Sequence, residues 1–221
     1  MNREHTLATR DVHHPIAFPT LCLTILLALA LAGCSGELLP RPDAPSAIYL
    51  LEGNSDAAAR PNPAGPTLAV SAVRSAAGFG TADMIYVEHA HQLQAFAHHR
   101  WADSPARMLD PLLVAAAEQS GLFAGVAEPG SLIRAELRLE TELLRLQQVF
   151  DGGTSQVELT LRASLIDTTR SRVLASRVFR VIEPVREATP YGGVLAANRA
   201  TGLLLDELQA FLGRALIQRQ H

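Results

Sequence analysis

The stretch Ala135-Glu136-Leu137-Arg138-Leu139-Glu140-Thr141-Glu142-Leu143 alternates charged side chains with apolar or small ones at every second position. A period of two is typical of a β-strand that has one face buried and the other in water. The alternation slips by one residue at Leu143-Leu144, which predicts a β-bulge. We therefore expect a long strand here, buried on its leucine face.

The chain after this strand turns back twice. Asp151-Gly152-Gly153 is a turn sequence, and a second polar turn spans residues 167–170 before a third strand over residues 173–182. The middle strand is predicted to bury Val157, Leu159, Leu161, Ala163 and Leu165 and to expose Glu158 and Arg162. Three consecutive long strands with short turns predict an antiparallel meander.

Two helices are predicted, one before this meander in the sequence and one after it. Ser104 fits an N-cap, Pro105 fits the first helical position, and Gly121 ends the first helix. Pro111 predicts either a kink or a restart with Asp110 as a second cap. A break at Gly192-Gly193 leads into the final helix, whose predicted apolar face comprises Leu204, Leu208, Phe211, Leu212 and Ala215.

Shorter strands are predicted over residues 67–73, 84–87 and 93–96, and an edge strand over Ile48-Tyr49-Leu50-Leu51. A sheet with one polar face and two amphipathic helices predicts an α+β fold. We expect a two-layer sandwich, with a mainly antiparallel sheet and both helices packed on one face.

The N-terminal region has the pattern of a bacterial lipoprotein signal. The apolar run Leu21 to Leu31 is followed by Ala32-Gly33-Cys34, and it is shorter than the roughly 20 residues that a membrane span needs. Cleavage before Cys34 would leave a cysteine whose thiol carries a diacylglycerol, and two or three acyl chains, palmitate among them, anchor a protein firmly. Ser35, in place of aspartate, points to the periplasmic face of the outer membrane.

These features divide the chain into a signal peptide at 1–33, an acylated N-terminus and Pro-rich tether at 34–66, and a folded domain at 67–218. The second cysteine of the chain, Cys22, lies in the signal peptide, so the mature chain has no disulfide. The net charge of −3 offers no basic surplus for nucleic acid.

Little in the sequence points to catalysis, to a cofactor or to a metal. The i, i+2 spacing of His89 and His91 would suit a metal pair on one face of a strand, but no cysteine accompanies them and the nearest carboxylates fall into no known ligand spacing. We therefore predict turn or surface positions for His89, His91, His98 and His99. We interpret Glu140 and Glu142 as partners in cross-strand salt bridges and not as a general acid and base. Ser155 and His98 are the only support for a periplasmic hydrolase, and no nucleophile elbow, phosphate loop or dinucleotide fingerprint is present.

The junction His98-His99-Arg100-Trp101-Ala102-Asp103-Ser104-Pro105 carries the one tryptophan of the chain. Arg100, Trp101 and Arg107 are candidate interface residues, while the alternative for Trp101 is a side chain that plugs one end of the core. Several pieces occur in the order of a known family: the lipobox, Tyr49-Leu50, residues 101–105 with Met108-Leu109, residues 135–137 with the strand 139–146, and residues 172–179. With them the chain resembles the ABC-type transport auxiliary lipoproteins, which include paraquat-inducible protein C-like lipoproteins.

The resemblance implies an accessory role in traffic between membranes. Such lipoproteins serve systems with an ABC permease, an ATPase and a substrate-binding protein of the mammalian-cell-entry type, which move lipids or other hydrophobic molecules across the periplasm. The chain would act by docking, and a self-pairing sheet edge would allow a homo-oligomer. The alternative is a structural lipoprotein that assists the assembly of an outer-membrane β-barrel.

Overall fold

The computed structural model describes residues 46–53, 58 and 61–219. The predicted signal peptide, Cys34 and much of the predicted tether lie outside these residues. The described part contains nine strands in one sheet and two helices. In chain order these are β1 (Ala47–Tyr49), β2 (Thr67–Val70), β3 (Arg74–Ser75), β4 (Asp83–Val87), β5 (Gln94–Trp101), α1 (Pro105–Gln119), β6 (Gly125–Ala127), β7 (Leu137–Asp151), β8 (Thr154–Asp167), β9 (Arg172–Val185) and α2 (Pro190–Arg219).

The three longest strands form the predicted antiparallel meander β7-β8-β9. Gly152 and Gly153, with φ of 54° and 92°, make the two-residue turn between β7 and β8, a backbone conformation that glycine adopts without strain. The register of β7 on β8 shifts between Leu143 and Arg145, which confirms the bulge predicted from the sequence.

The short strands use the other edge of β7, and they run parallel to it. β2 pairs with residues 137–139, β3 with residues 142–143 and β4 with residues 148–149. Beyond them, β6 pairs with β2, β5 pairs with β4, and β1 pairs with β5. The sheet is therefore mixed: its long strands are antiparallel, and most pairings of the short strands are parallel.

Part of the segment predicted as a tether belongs to the folded domain. Strand β1 is an edge strand, as expected, and Leu51 after it is buried. Gly53 lies against side chains of Leu112 and Leu205, one from each helix. Asn62 N–H donates to the carbonyl of Phe123 at 2.8 Å. Residues 46–53 and 61–66 thus contribute to the domain from outside the boundary expected at residue 67.

Helix α1 begins and ends where the sequence predicts. Ser104 is its N-cap, Pro105 is the first helical residue, and Gly121 follows the C-cap with φ of 67°. The helix continues through Pro111 without a second start. Asp110 does not cap a new helix, because its Oδ1 accepts a hydrogen bond from Val73 N–H at 2.8 Å. Burial of this carboxyl raises its pKa above the ordinary value.

Helix α2 corrects one expectation. Gly192 and Gly193 were predicted to interrupt the chain, but both are buried residues inside this 30-residue helix. A Cβ atom at Gly192 would lie 2.1 Å from the carbonyl oxygen of Glu187, and one at Gly193 would lie 2.2 Å from Gln148 Oε1. The two glycines allow the helix to approach its neighbours closely.

The core lies between the sheet and the helices, as a two-layer α+β sandwich predicts. The side chains predicted to point inwards from β7, β8 and α2 are buried, including Leu139, Leu161 and Leu208 at 0% exposure. Phe179 of β9 meets Phe211 of α2 edge to face, with ring centroids 5.6 Å apart. Gln209 Nε2 of α2 donates to the carbonyl of Ala116 in α1 at 3.0 Å, which joins the helices.

The outward face of the meander carries ion pairs between strands. Glu142 lies opposite Arg162 in the register and is bonded to it at 2.7 Å, as predicted. Glu140 pairs instead with Arg138 of its own strand, at 4.0 Å. The predicted exposure of Glu158 is wrong, because this residue is 5% exposed beneath two arginines.

Candidate functional site

The three candidate interface residues of the β5–α1 junction differ in their exposure to solvent. Trp101 is 4% exposed, and its backbone N–H donates to the carbonyl of Ala82 at 2.8 Å. Its indole therefore belongs to the core, which corrects its assignment as an interface residue. Arg100 and Arg107 are exposed, and Arg107 Nε is bonded to Asp103 Oδ2 at 3.0 Å. A contact of these two arginines with a partner stays a prediction.

A different group of side chains forms a continuous surface beside this junction. Six aromatic rings follow one another, each partly exposed; we call them the aromatic surface, and they are Tyr49, Tyr86, Phe96, His99, Phe150 and Tyr191. They include all three tyrosines of the chain. Because five different elements or their ends supply these rings, the fold and not a local motif creates the surface.

Ring contacts join the members directly. Tyr86 stacks on Phe96 with centroids 4.4 Å apart, and Phe150 meets the edge of Tyr86 at 5.9 Å. Tyr49 stacks on His99 at 5.9 Å and contacts Tyr191 at 6.0 Å. Offset and edge-to-face pairs at these distances contribute about 0.5–1.5 kcal/mol each beyond the area they bury.

An irregularity in β5 places two of these rings on the same side. Ile85 lies opposite Ala95, whereas Asp83 lies opposite Arg100, so residues 96–99 of β5 stand against Met84 alone. Extra residues in one strand redirect side chains that would otherwise alternate between faces. Phe96 and His99, three positions apart, consequently come within 6.1 Å of each other, centroid to centroid.

The aromatic surface combines apolar faces with polar groups. The Tyr49 hydroxyl and His99 Nδ1 are 3.0 Å apart and form a hydrogen bond. Tyr191 is 56% exposed in the first turn of α2. Such a surface suits adsorption to an apolar partner with a polar boundary, and it has no arrangement that would activate a nucleophile.

A small cavity lies behind the aromatic surface. It has a volume of about 20 Å³, and Phe96, Trp101 and Gln148 are among its lining residues. Gln148 is 4% exposed, and its Nε2 donates to Ser155 Oγ at 2.9 Å and to the Thr189 carbonyl at 3.3 Å. Its Oε1 has no hydrogen-bond partner.

The residues weighed for catalysis or metal binding are not assembled into a centre. Within residues 46–53, 58 and 61–219 no three or more histidine, cysteine, aspartate or glutamate side chains are grouped as metal ligands. His89, His91 and His98 are exposed. Ser155 is buried, and its hydroxyl accepts the hydrogen bond from Gln148 instead of facing a histidine.

A buried carboxylate, Asp167 at the end of β8, joins the meander to the C-terminal end of α2. Asp167 is 0% exposed, and its Oδ1 accepts hydrogen bonds from the Thr169 hydroxyl at 2.5 Å and from the Arg170 N–H at 3.0 Å. Arg219 Nε donates to Asp167 Oδ2 at 3.1 Å, and its Nη2 donates to Glu136 Oε2 at 2.9 Å. The Thr169 hydroxyl above all, then Arg170 and Arg219, hold the pKa of Asp167 at about 2 despite its burial.

A groove of about 710 Å³ borders this cluster, lined in part by Asn62, Leu122, Arg170, Ile217 and Arg219. The charged groups of Arg219 and Arg170 already bond to Asp167 and Glu136, so they are engaged within the fold. We interpret the cluster as a structural tie.

The fold places this chain among small α+β sandwich domains, here with a partly exposed aromatic surface. In the part of the chain that the structure describes, no helix is long and apolar enough to cross a membrane. The chain belongs to the family of ABC-type transport auxiliary lipoprotein components, whose sequence model matches residues 49–209. The resemblance stated from the sequence is thereby confirmed.

Solved structures share this fold. A Xanthomonas campestris protein of the family DUF330 is 24% identical, with a TM-score of 0.68 over 79% of this chain and 99% of that chain. An uncharacterised protein is 14% identical, with a TM-score of 0.62 over 76% of this chain and 99% of that chain. No curated protein matches in sequence.

Family membership indicates an auxiliary role in association with an ABC transporter, at a membrane of the cell envelope. The alternative role in β-barrel assembly receives no support from these comparisons.

Proposed function

We propose that this chain is a periplasmic accessory lipoprotein, anchored in the outer membrane, of an ABC transport system of the mammalian-cell-entry type. The system would move lipids or other hydrophobic molecules between membranes, and this chain would act by docking and not by catalysis. The observation that carries the proposal is the family match over residues 49–209, which begins fifteen residues after the predicted acylation site Cys34.

The anchor follows from the sequence that precedes the domain. Ala32-Gly33-Cys34 after an apolar run supports cleavage and acylation, and Ser35 supports retention in the outer membrane. Substitution Cys34→Ser would remove the attachment point of the diacylglycerol. We expect the variant to leave the outer-membrane fraction of a sucrose gradient, whereas Cys22→Ser, in the signal peptide, serves as the matched control.

Docking is supported by the surfaces that the domain offers. The exposed Arg100 and Arg107 lie at the β5–α1 junction, and the edge strand β1 pairs with β5 beside it. Strands β1 and β6 end the sheet path on either side, and a free strand edge supports pairing with a second chain. A homo-oligomer is therefore part of the proposal, and its test is the mass of the purified lipoprotein in solution.

The partner is tested by crosslinking in intact cells, followed by purification of the acylated protein from membranes and mass spectrometry of what is bound. We expect a mammalian-cell-entry-type protein, its permease and its ATPase. The Cys34→Ser variant, crosslinked in parallel, separates partners that need the anchor from those that need only the domain. Recovery of outer-membrane proteins alone, with nothing from an inner-membrane transporter, would contradict the proposal.

A further inference from the structure

We propose that the aromatic surface rests on the lipid bilayer that carries the acyl anchor, and so fixes which face of the domain points away from the membrane. The inference depends on the anchoring at Cys34 given under the proposed function. It adds a second, non-covalent contact between this protein and its membrane, made by the folded domain itself.

The position of the surface along the chain is the first argument. Tyr49 belongs to β1, the first described strand, so the aromatic surface lies where the chain enters the fold from the anchor. Ala47 lies thirteen residues after Cys34, and thirteen residues reach at most about 45 Å. An ordinary domain is about 40 Å wide. The tether therefore holds this entry side close to the bilayer, and a distant side much less often.

The chemistry of the surface is the second argument. Tyrosine is enriched at membrane–water interfaces, because its ring is apolar and its hydroxyl stays hydrated. All three tyrosines of this chain are gathered here, and Tyr191 is 56% exposed. The hydroxyl of Tyr49 forms a hydrogen bond with His99, so this hydroxyl keeps a polar partner when water is removed from the surface.

An exposed aliphatic side chain extends the surface on α2. Leu195 lies one turn after Tyr191 and is 45% exposed. The N–H of Glu52 donates to Asn198 Oδ1 at 3.1 Å, so the chain that follows β1 lies against the same helix. Binding to an interface grows with the apolar area that becomes buried, and Leu195 adds to that area.

The test uses the full acylated protein in vesicles of phosphatidylethanolamine and phosphatidylglycerol. In the mature chain Cys34 is the single cysteine and is acylated, so an introduced cysteine takes a thiol-reactive, polarity-sensitive fluorophore at one site. Tyr191→Cys carries the label on the aromatic surface. Leu132→Cys is the matched control, because Leu132 is an apolar loop residue with 98% exposure next to the opposite part of the sheet path.

In vesicles that float with bound protein, we expect the emission of the Tyr191→Cys label to shift to the blue and to be quenched by nitroxide-labelled phospholipid. The Leu132→Cys label should show neither effect. A second pair keeps the test independent of one site: a label at Leu195→Cys should be quenched in the otherwise natural chain and lose its quenching when Tyr49→Ser and Tyr191→Ser are added.

Three results would overturn the proposal, each in a different way. Equal emission and quenching of the Tyr191 and Leu132 labels in floated vesicles would show that the anchor holds the protein on the membrane without contact between the aromatic surface and the lipid. A blue shift that appears without lipid and grows with protein concentration would assign the surface to a second copy of the chain. Failure of the protein to float would remove the anchor, and the docking contact with it.

Discussion

Arg219, at the end of α2, bonds through one guanidinium group to Asp167 of β8 and to Glu136, residues 52 and 83 positions away. The contact closes the sheet–helix sandwich at the C-terminal end of the described chain. Asp167 is fully buried, so its charge depends on these partners. Removing one partner of a buried ion pair commonly costs more than the pair contributes, because the remaining charge stays buried without compensation.

Arg219→Ala is expected to lower the free energy of unfolding by roughly 2–4 kcal/mol, since Asp167 keeps its bonds to Thr169 and Arg170 but loses the nearer of its two cations, and Glu136 loses its partner. The midpoint of urea unfolding measures the loss. Arg214→Ala, an exposed arginine of the same helix, is the control and should stay within about 0.5 kcal/mol of the natural chain. Equal midpoints for the two variants would contradict the tie.

The pH dependence of stability should reveal Asp167. Its pKa is about 2 in the folded protein and about 3.9 in an unfolded chain, so the folded state favours the carboxylate. That stabilisation is fully present above about pH 4 and is lost as the pH falls through the folded value near 2. Unfolding in urea between pH 5 and pH 2 should therefore show a steeper loss for the natural chain than for Asp167→Asn, and parallel curves would argue against the assignment.

Gly193→Ala should destabilise the protein by about 1–3 kcal/mol, because the new methyl group would meet Gln148 Oε1 at 2.2 Å and the buried Gln148 can move away only by giving up its hydrogen bonds to Ser155 and Thr189. Gly213→Ala in the same helix is a matched comparison: its methyl group would find only Leu122 Cδ1 at 3.9 Å, so helix propensity should stabilise it by up to about 1 kcal/mol. Thermal unfolding of both variants gives the two signs.

The clash can be separated from other effects of Gly193→Ala by adding Gln148→Ala. If Gln148 is the obstacle, the double variant should be more stable than the sum of the two single changes predicts. Additive losses would mean that another neighbour opposes the methyl group.

Glu158→Gln should cost about 1–3 kcal/mol of stability, because its Oε1 accepts from Arg145 Nη1 and Arg180 Nε, both at 2.8 Å, under nearly complete burial. Glu142→Gln is the comparison, since its pair with Arg162 is more exposed and should contribute at most about 1 kcal/mol. Urea midpoints of both variants at low and high salt test the difference, which should persist in salt. A smaller loss for Glu158→Gln than for Glu142→Gln would overturn it.

The meander could be predicted from the sequence because its strands are long and alternate strictly. The spacing of Leu137, Leu139 and Leu143 predicts that they share one face of the strand, and the adjacent pair Leu143-Leu144 predicts the bulge. Strand β3 could not be predicted, since Arg74 and Ser75 form no period and pair only because β7 offers an unoccupied edge. The same is true of the parallel direction of the short strands, which no local pattern encodes.

Gly192-Gly193 misled the prediction for a different reason. Two glycines lower helix propensity, but close packing against Glu187 and Gln148 outweighs that cost. The sequence around the glycines does not show these contacts, because Gln148 is distant in the chain and Glu187 lies before the helix. The aromatic surface was missed because its six rings are scattered between residues 49 and 191. The three tyrosines themselves stand at positions 49, 86 and 191, so the sequence without the fold does not show that they meet.

The position of strand β7 in the sequence constrains the order in which the sheet can assemble. β2, β3 and β4 all precede it in the chain, and each pairs with a successive portion of its edge. A chain that leaves the ribosome, or crosses a membrane, with its N-terminus first therefore exposes these strands before their template has emerged. Strands β4 and β5 can pair with each other early, but β2, β3 and β4 cannot take their places on β7 until residues 137–149 are available, and any factor that escorts this protein has to protect these strands during the delay.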